Sequence, residues 1–264
     1  MKLHGLIVCA ALAATLASTP AAAVTREEAA IQNAMIVLRE MQSMPDLQIP
    51  DQLLARAEGI IVLPANVKAA FGLGGRGGSG VMLVRNADRS WSHPVFVSSG
   101  AISFGFQAGA QVADIVLVLT TRRSIEGITD GKLTLGADAS AAAGPVGRTA
   151  MASTSLTFDS EVYAYSRTQG LFAGVSLEGT GIFISKKANR RFYDGETSAT
   201  SILAATGTPP SPADELVNEV SRLTSSSAQS VASGAAEPRE PAVERPVEPR
   251  TYPMPDAQPG AEPR

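Results

Sequence analysis

Residues Tyr165–Lys187 read YSRTQGLFAGVSLEGTGIFISKK. Apolar and polar residues alternate as they do in strands, yet glycine interrupts at Gly170, Gly174, Gly179 and Gly181. A glycine inside a strand weakens it, so its presence marks a bulge, a sharp bend or the close approach of another backbone. Ser99–Leu119, SGAISFGFQAGAQVADIVLVL, repeats the pattern with Gly100, Gly105 and Gly109. Two such stretches predict a strongly curved sheet.

Around them lie further short apolar runs: IIVLP (60–64), GVMLVR (80–85), WSHPVFVSS (91–99), DIVLVLTT (114–121), KLTLGADAS (132–140) and EVYAYS (161–166). Read as separate strands joined by glycine-rich and polar turns, they predict a mostly antiparallel sheet, as a sandwich or partial barrel. Helices precede it. Thr25 and Glu28 have capping-box spacing, and Ile31, Ala34, Met35 and Leu38 share one helical face. DQLLARAEG (51–59) gives a short second helix ended by Gly59. The expected class is α+β, with N-terminal helices packed on the curved sheet.

The two ends of the chain differ from this middle. MKLHGLIVCAALAATLASTPAAA (1–23) has a basic start at Lys2, an apolar run from Leu6 to Leu16 and small residues at a cleavage site, so it reads as a secretory signal peptide. The run is short for a membrane span. Its removal would take Cys9, the only cysteine, and with it disulfide and thiol chemistry. Loss of Lys2 leaves 21 basic against 25 acidic residues, moving the net charge from −3 to −4. This is the composition of an exported bacterial protein, periplasmic or extracellular. Its mildly acidic average speaks against nucleic acid as a partner. From 208 to 264 the chain is rich in Ser, Ala, Glu and Pro. One short helix is expected at 212–223, with Leu216, Val220 and Leu223 on a stripe, inside a disordered tail. The folded domain is thus expected at 24–207.

Catalysis finds little footing. GLGGRG (72–77) satisfies G-x-G-x-x-G, but it leads into a strand rather than a helix and reads as a glycine-rich turn, not a dinucleotide site. No G-x-S-x-G elbow occurs, and His93 is the one histidine outside the predicted signal. A metal site would have to lean on carboxylates. Asp159 and Glu161 read as a solvated strand face, and Asp114 and Glu178 as partly buried structural carboxylates. No enzyme, cofactor or metal is expected.

Six pieces in one order carry a resemblance: GSGVMLVR, WSHP, GFQAGAQVADIVLVL, AGPVGR, YSRTQGLFAGVSLEG and NRRFY. Together they resemble the SYLF domain over roughly Glu27–Ala205. The resemblance implies a module that binds membrane lipids, with phosphoinositides preferred among eukaryotic members. Some fungal members also bind actin filaments and carry SH3 domains. No SH3-like segment is found here, and actin is not an expected partner of an exported chain. His93 stands where a small residue or proline is common in the family.

The residues offer several lipid-facing candidates. KKANRR places Lys186, Lys187, Arg190 and Arg191 within six residues, where they would meet anionic headgroups or form a solvated basic turn. Phe192 and Tyr193 beside them could seat at a membrane interface. Arg122 and Arg123 make a smaller pair. Leu171 and Phe172 could line an apolar groove or belong to the core, and the stripe of the first helix could insert shallowly or pack on the sheet. The leading expectation is a non-catalytic lipid-binding protein of the bacterial envelope. The alternative is an envelope protein that docks a protein partner through its Pro-rich tail or a sheet edge. An enzyme depending on His93 comes third.

Overall fold

The computed structural model of the chain describes residues 24–43, 48–145, 158–168, 171–174 and 177–236. The predicted signal peptide and the tail beyond 236 lie outside them. Helix α1 (Arg26–Gln42) starts at Thr25, whose hydroxyl accepts from the Glu28 amide while the Glu28 carboxylate accepts from the Thr25 amide. This is the capping box read from the sequence. Its apolar stripe is buried at Ile31, Ala34, Met35 and Leu38, so α1 packs on the sheet. Helix α2 (Asp51–Arg56) follows.

Next come two strands of unusual length, β1 (Gly59–Val84) and β2 (Val95–Leu119). They pair antiparallel from Gly59↔Leu119 to Met82↔Val95, with irregularities between Leu63 and Asn66 and between Ala70 and Gly72. The runs expected as separate strands are therefore halves of single strands, and GLGGRG is strand interior, not a turn. Nothing in those glycine stretches ends the ladder, because a glycine keeps its N–H and C=O and bulges absorb the mismatch. After α3 (Arg122–Thr129) come β3 (Lys132–Thr134), β4 (Ala141–Ala143), β5 (Val162–Thr168), β6 (Leu171–Gly174) and β7 (Gly181–Ile184). The sheet order is β3-β7-β2-β5-β4, with β1 on β2 and β6 on β5. Every pair is antiparallel except β4 with β5. Helices α4 (Lys186–Phe192), α5 (Ala199–Leu203) and α6 (Ala213–Ala236) complete an α+β fold around a partial barrel.

Strand alternation sorts the apolar residues into two cores. Ile60, Val62, Val81, Leu83, Val116, Val118 and Tyr165 meet α1, α2 and α6. Ile61, Leu63, Met82, Ile115, Leu117, Val162 and Ile182 fill the other face, where Ile125 and Ile128 of α3 join them. Helix α6 is longer than the helix expected at 212–223, and Leu216, Val220 and Leu223 are buried in the first core. The expected stripe is the packed face: α6 lies on α1, α2 and the sheet, and the folded part extends past 207. Trp91 anchors it by donating from Nε1 to Thr224 Oγ1 at 3.0 Å.

The glycines serve a crossing. Val62 and Gly80 sit at opposite ends of β1, yet a Cβ on Gly80 would lie 1.9 Å from the Val62 carbonyl oxygen. The strand curls back on itself, and only a residue without a side chain fits there. The crossing is held by Asn66 Nδ2 donating to Ser99 Oγ at 2.6 Å and by the Arg85 amide donating to the Glu58 carbonyl at 2.8 Å. Beyond it, residues 67–77 of β1 and 101–113 of β2 form a two-stranded arm; among the described residues no other strand pairs with that stretch of β2.

Candidate functional site

KKANRR forms α4, which follows directly from β7. At 100° per residue, positions 186, 187, 190 and 191 fall on one side of the helix, and all four side chains are exposed. Asn189 on the opposite side is fully buried, and its Oδ1 accepts from the Phe96 amide at 2.8 Å, fixing α4 against β2.

The four cations are not equivalent. Arg191 donates from Nε to Glu27 Oε1 at 2.8 Å, and its Nη2 bonds the same oxygen. Burial would push the Glu27 carboxyl up, but the hydrogen bonds from Arg191 and its own backbone, with the charges of Arg191 and Arg26, outweigh it and hold it below the ordinary value. Arg191 is thus a strap between α4 and α1. Lys186, Lys187 and Arg190 have no ion-pair partner among the described residues. Phe192 and Tyr193 are half-buried and engaged with the protein. Phe192 packs edge-on against Phe96 at 5.3 Å, and Tyr193 donates its hydroxyl to the Pro94 carbonyl at 2.6 Å. Burial pushes the Tyr193 phenol well up, so it stays a protonated donor. Both aromatics fix the helix from below.

Lys186 also lines an open cleft of about 430 Å³ with Asp130, Ile184, Thr197, Ser198 and Thr200. Arg122 is engaged, pairing with Glu58 at 2.9 Å. Arg123 faces a second cleft, of about 490 Å³, together with Glu126, Asp130, Lys132 and Asp138. Three carboxylates there offset the cations, which suits no anionic ligand. Leu171 and Phe172 are in β6, paired with Thr168 and Arg167, and their side chains lie outside the described residues. No cluster of metal-ligating residues is found among the described residues.

The remaining polar candidates are structural. Asp114 accepts from the Ala65 amide and from Arg167 Nε, each at 2.9 Å. Glu161 accepts from the Ser140 amide at 3.0 Å. Glu178, expected to be partly buried, is exposed in a turn before β7. His93 Nε2 lies 3.0 Å from the Gly207 carbonyl, tying the β1–β2 loop to the segment after α5.

Residues 100–223 match the family model described as "Ysc84: Las17-binding protein actin regulator". They belong to the Ysc84, or SYLF, domain family. The chain is 36% identical over 194 residues to the SH3 domain-containing YSC84-like protein 1 of Bos taurus, covering 71% of this chain and 57% of that protein. It is 36% identical over 186 residues to the Homo sapiens protein of the same name, covering 68% and 54%. With LAS seventeen-binding protein 3 of Saccharomyces cerevisiae it shares 38% identity over 174 residues, covering 65% and 38%. The chain therefore spans about half the length, or less, of these relatives. Their names describe binding or regulatory proteins rather than enzymes. Among the described residues no helix is long and apolar enough to cross a membrane.

Sequence reasoning passed over one surface. Val67, Ile102 and Val112 on the β1–β2 arm are 46%, 77% and 56% exposed. A charge signal marks it: between Gly59 and Val84, and between Val95 and Ala113, there is no Asp or Glu, while Lys68 and Arg76 are present.

Proposed function

We propose that this SYLF domain is a non-catalytic, exported module that binds anionic lipid surfaces through Lys186, Lys187 and Arg190 of α4. One observation carries the reading. Arg39, Arg89, Arg122, Arg191 and Arg222 are exposed and paired with carboxylates, whereas these three cations share one helix face and have no ion-pair partner among the described residues. Asn189, Phe192 and Tyr193 fix the helix that carries that face, so no backbone order has to be created on binding. Each cation near an anionic membrane contributes about 1 kcal/mol, so the three together favour binding by on the order of a hundredfold.

The test is co-sedimentation with neutral and anionic phospholipid vesicles across a salt series. The chain should pellet with anionic vesicles and be released as salt rises. The triple variant Lys186→Glu, Lys187→Glu, Arg190→Glu should stay in solution, while Arg191→Gln should still bind. Equal pelleting of parent and triple variant refutes the patch, and no pelleting with any vesicle refutes lipid binding.

A second reading follows from the relatives' names, which specify Las17 as a protein partner. On this reading the domain docks a protein through a sheet edge or its Pro-rich tail. Such an interface would persist in salt where headgroup binding fades. An actin filament is then a partner to assay.

A further inference from the structure

The arm beyond the β1 crossing has no counterpart in the α4 reading. Residues Val67–Ala69 and Ala110–Val112 are all exposed. Since successive strand residues point to opposite faces, the ribbon there is bare on both sides. A bare two-stranded ribbon is marginal in water. Val67 and Val112 are direct cross-strand partners, so their side chains stand together on one face. Among the described residues Ile102 is the most exposed of the large apolar ones. It lies on the same face of β2 as Ser98, whose partner on β7 is Phe183. The Phe183 ring leans over Gly100 and Gly181, where a Cβ would stand 3.8 Å and 2.8 Å from it, and Lys132 Nζ sits 5.7 Å from its centroid. Phe183 is itself 37% exposed, so an apolar strip runs from β7 towards Ile102.

We infer that this arm is an insertion element that dips into an anionic bilayer, a deepening that rests on the lipid-binding reading above. Charge complementarity selects the bilayer. The strand segments 59–84 and 95–113 hold Lys68 and Arg76 and no carboxylate, in a chain with 25 Asp and Glu against 22 Lys and Arg. Exposed aliphatic side chains beside the exposed Lys68 and the half-buried Arg76 match an acyl region beneath anionic headgroups. The Asn66–Ser99 bond and the Gly80 crossing fix the base of the arm, so its exposed residues Val67, Ile102 and Val112 can enter lipid without disturbing either core.

The test uses the full chain carrying Cys9→Ser, with Ile102→Cys labelled by an environment-sensitive nitrobenzoxadiazole dye, and vesicles of phosphatidylcholine with or without phosphatidylserine. The dye should brighten and shift to the blue with the anionic vesicles. The unlabelled triple variant Val67→Thr, Ile102→Thr, Val112→Thr keeps β-branched side chains and should fold with an unchanged circular dichroism spectrum. It should bind the anionic vesicles about tenfold or more less tightly. If the chain pellets with vesicles while the dye stays in water and the Thr variant binds as the parent does, the arm proposal falls and the α4 reading stands. If neither protein pellets, both fall. A blue shift without vesicles that grows with protein concentration would assign the strip to a second copy of the chain and overturn the proposal.

Discussion

Gly80→Ala tests the crossing at the centre of the fold. The added Cβ would stand 1.9 Å from the Val62 oxygen, 2.8 Å from its carbonyl carbon and 2.9 Å from the Leu63 Cα. All three are backbone atoms, so no rotamer change relieves the clash. Reaching an ordinary contact of 3.4 Å requires the two limbs of β1 to part by about 1.5 Å. Both limbs carry fully buried side chains, Val62 and Leu63 on one and Val81 and Met82 on the other. Parting them therefore loosens both cores at once. Overpacking typically costs about 1–3 kcal/mol, and a rigid backbone clash belongs at or above the top of that range. For a domain of this size about 3 kcal/mol lowers Tm by roughly 6–12 °C. Gly77→Ala is the control, since its Cβ would meet only the Ser99 oxygen at 3.6 Å. It should change stability by less than about 1 kcal/mol in either direction. Urea denaturation followed by circular dichroism reads both. If Gly80→Ala were as stable as Gly77→Ala, β1 would not cross itself and the account of the curved sheet would fail.

Three further outcomes can be checked. Glu27 has its carboxyl held below the ordinary 4.5, so its stabilising contribution is full above that value and is lost as pH falls through the depressed one; Glu27→Gln should flatten that part of the acid limb in a stability–pH profile, and an unchanged limb would show that the Arg191 strap contributes nothing. Thr224→Val removes the acceptor of the buried Trp91 indole and should cost about 1–2 kcal/mol by chemical denaturation, with a loss below a few tenths counting against the anchoring of α6. A chain ended at residue 207 loses the buried Leu216, Val220 and Leu223 and should give no cooperative thermal transition, whereas a sharp transition would show that α6 is dispensable.

Local signals were legible in the sequence. Thr25 and Glu28 marked the start of α1 because a capping box is encoded within four residues. Leu216, Val220 and Leu223 marked a stripe because helical period is local too. The apolar runs IIVL and GVMLV were legible as strands, and both of their faces are buried. The continuity of β1 was not legible, since it depends on β2 matching it residue for residue through the glycines. The site followed the same division. KKANRR announced a cationic face, but nothing in those six residues says that Arg191 meets Glu27, 164 positions away. Phe192 and Tyr193 looked like interface aromatics because amphipathic rings next to charges read alike whether the rings meet lipid or Phe96 and the Pro94 carbonyl.

The crossing of β1 also bears on how the chain reaches this fold. A long hairpin normally zips outward from its turn, here from Met82↔Val95 next to the loop at Arg85–Trp91. That zipper must pass the glycine arm, where the ladder orders glycines, the residues that lose most conformational freedom. Val62 and Gly80 are only 18 positions apart, whereas Val62 and its ladder partner Val116 are 54 apart. Closing the nearer pair first loses less loop entropy and seats both apolar ends of the hairpin in one nucleus. The arm then forms last, as a loop already fastened at both ends. Substitutions at the crossing should accordingly slow folding, whereas destabilising substitutions in the arm should leave the folding rate unchanged and speed unfolding.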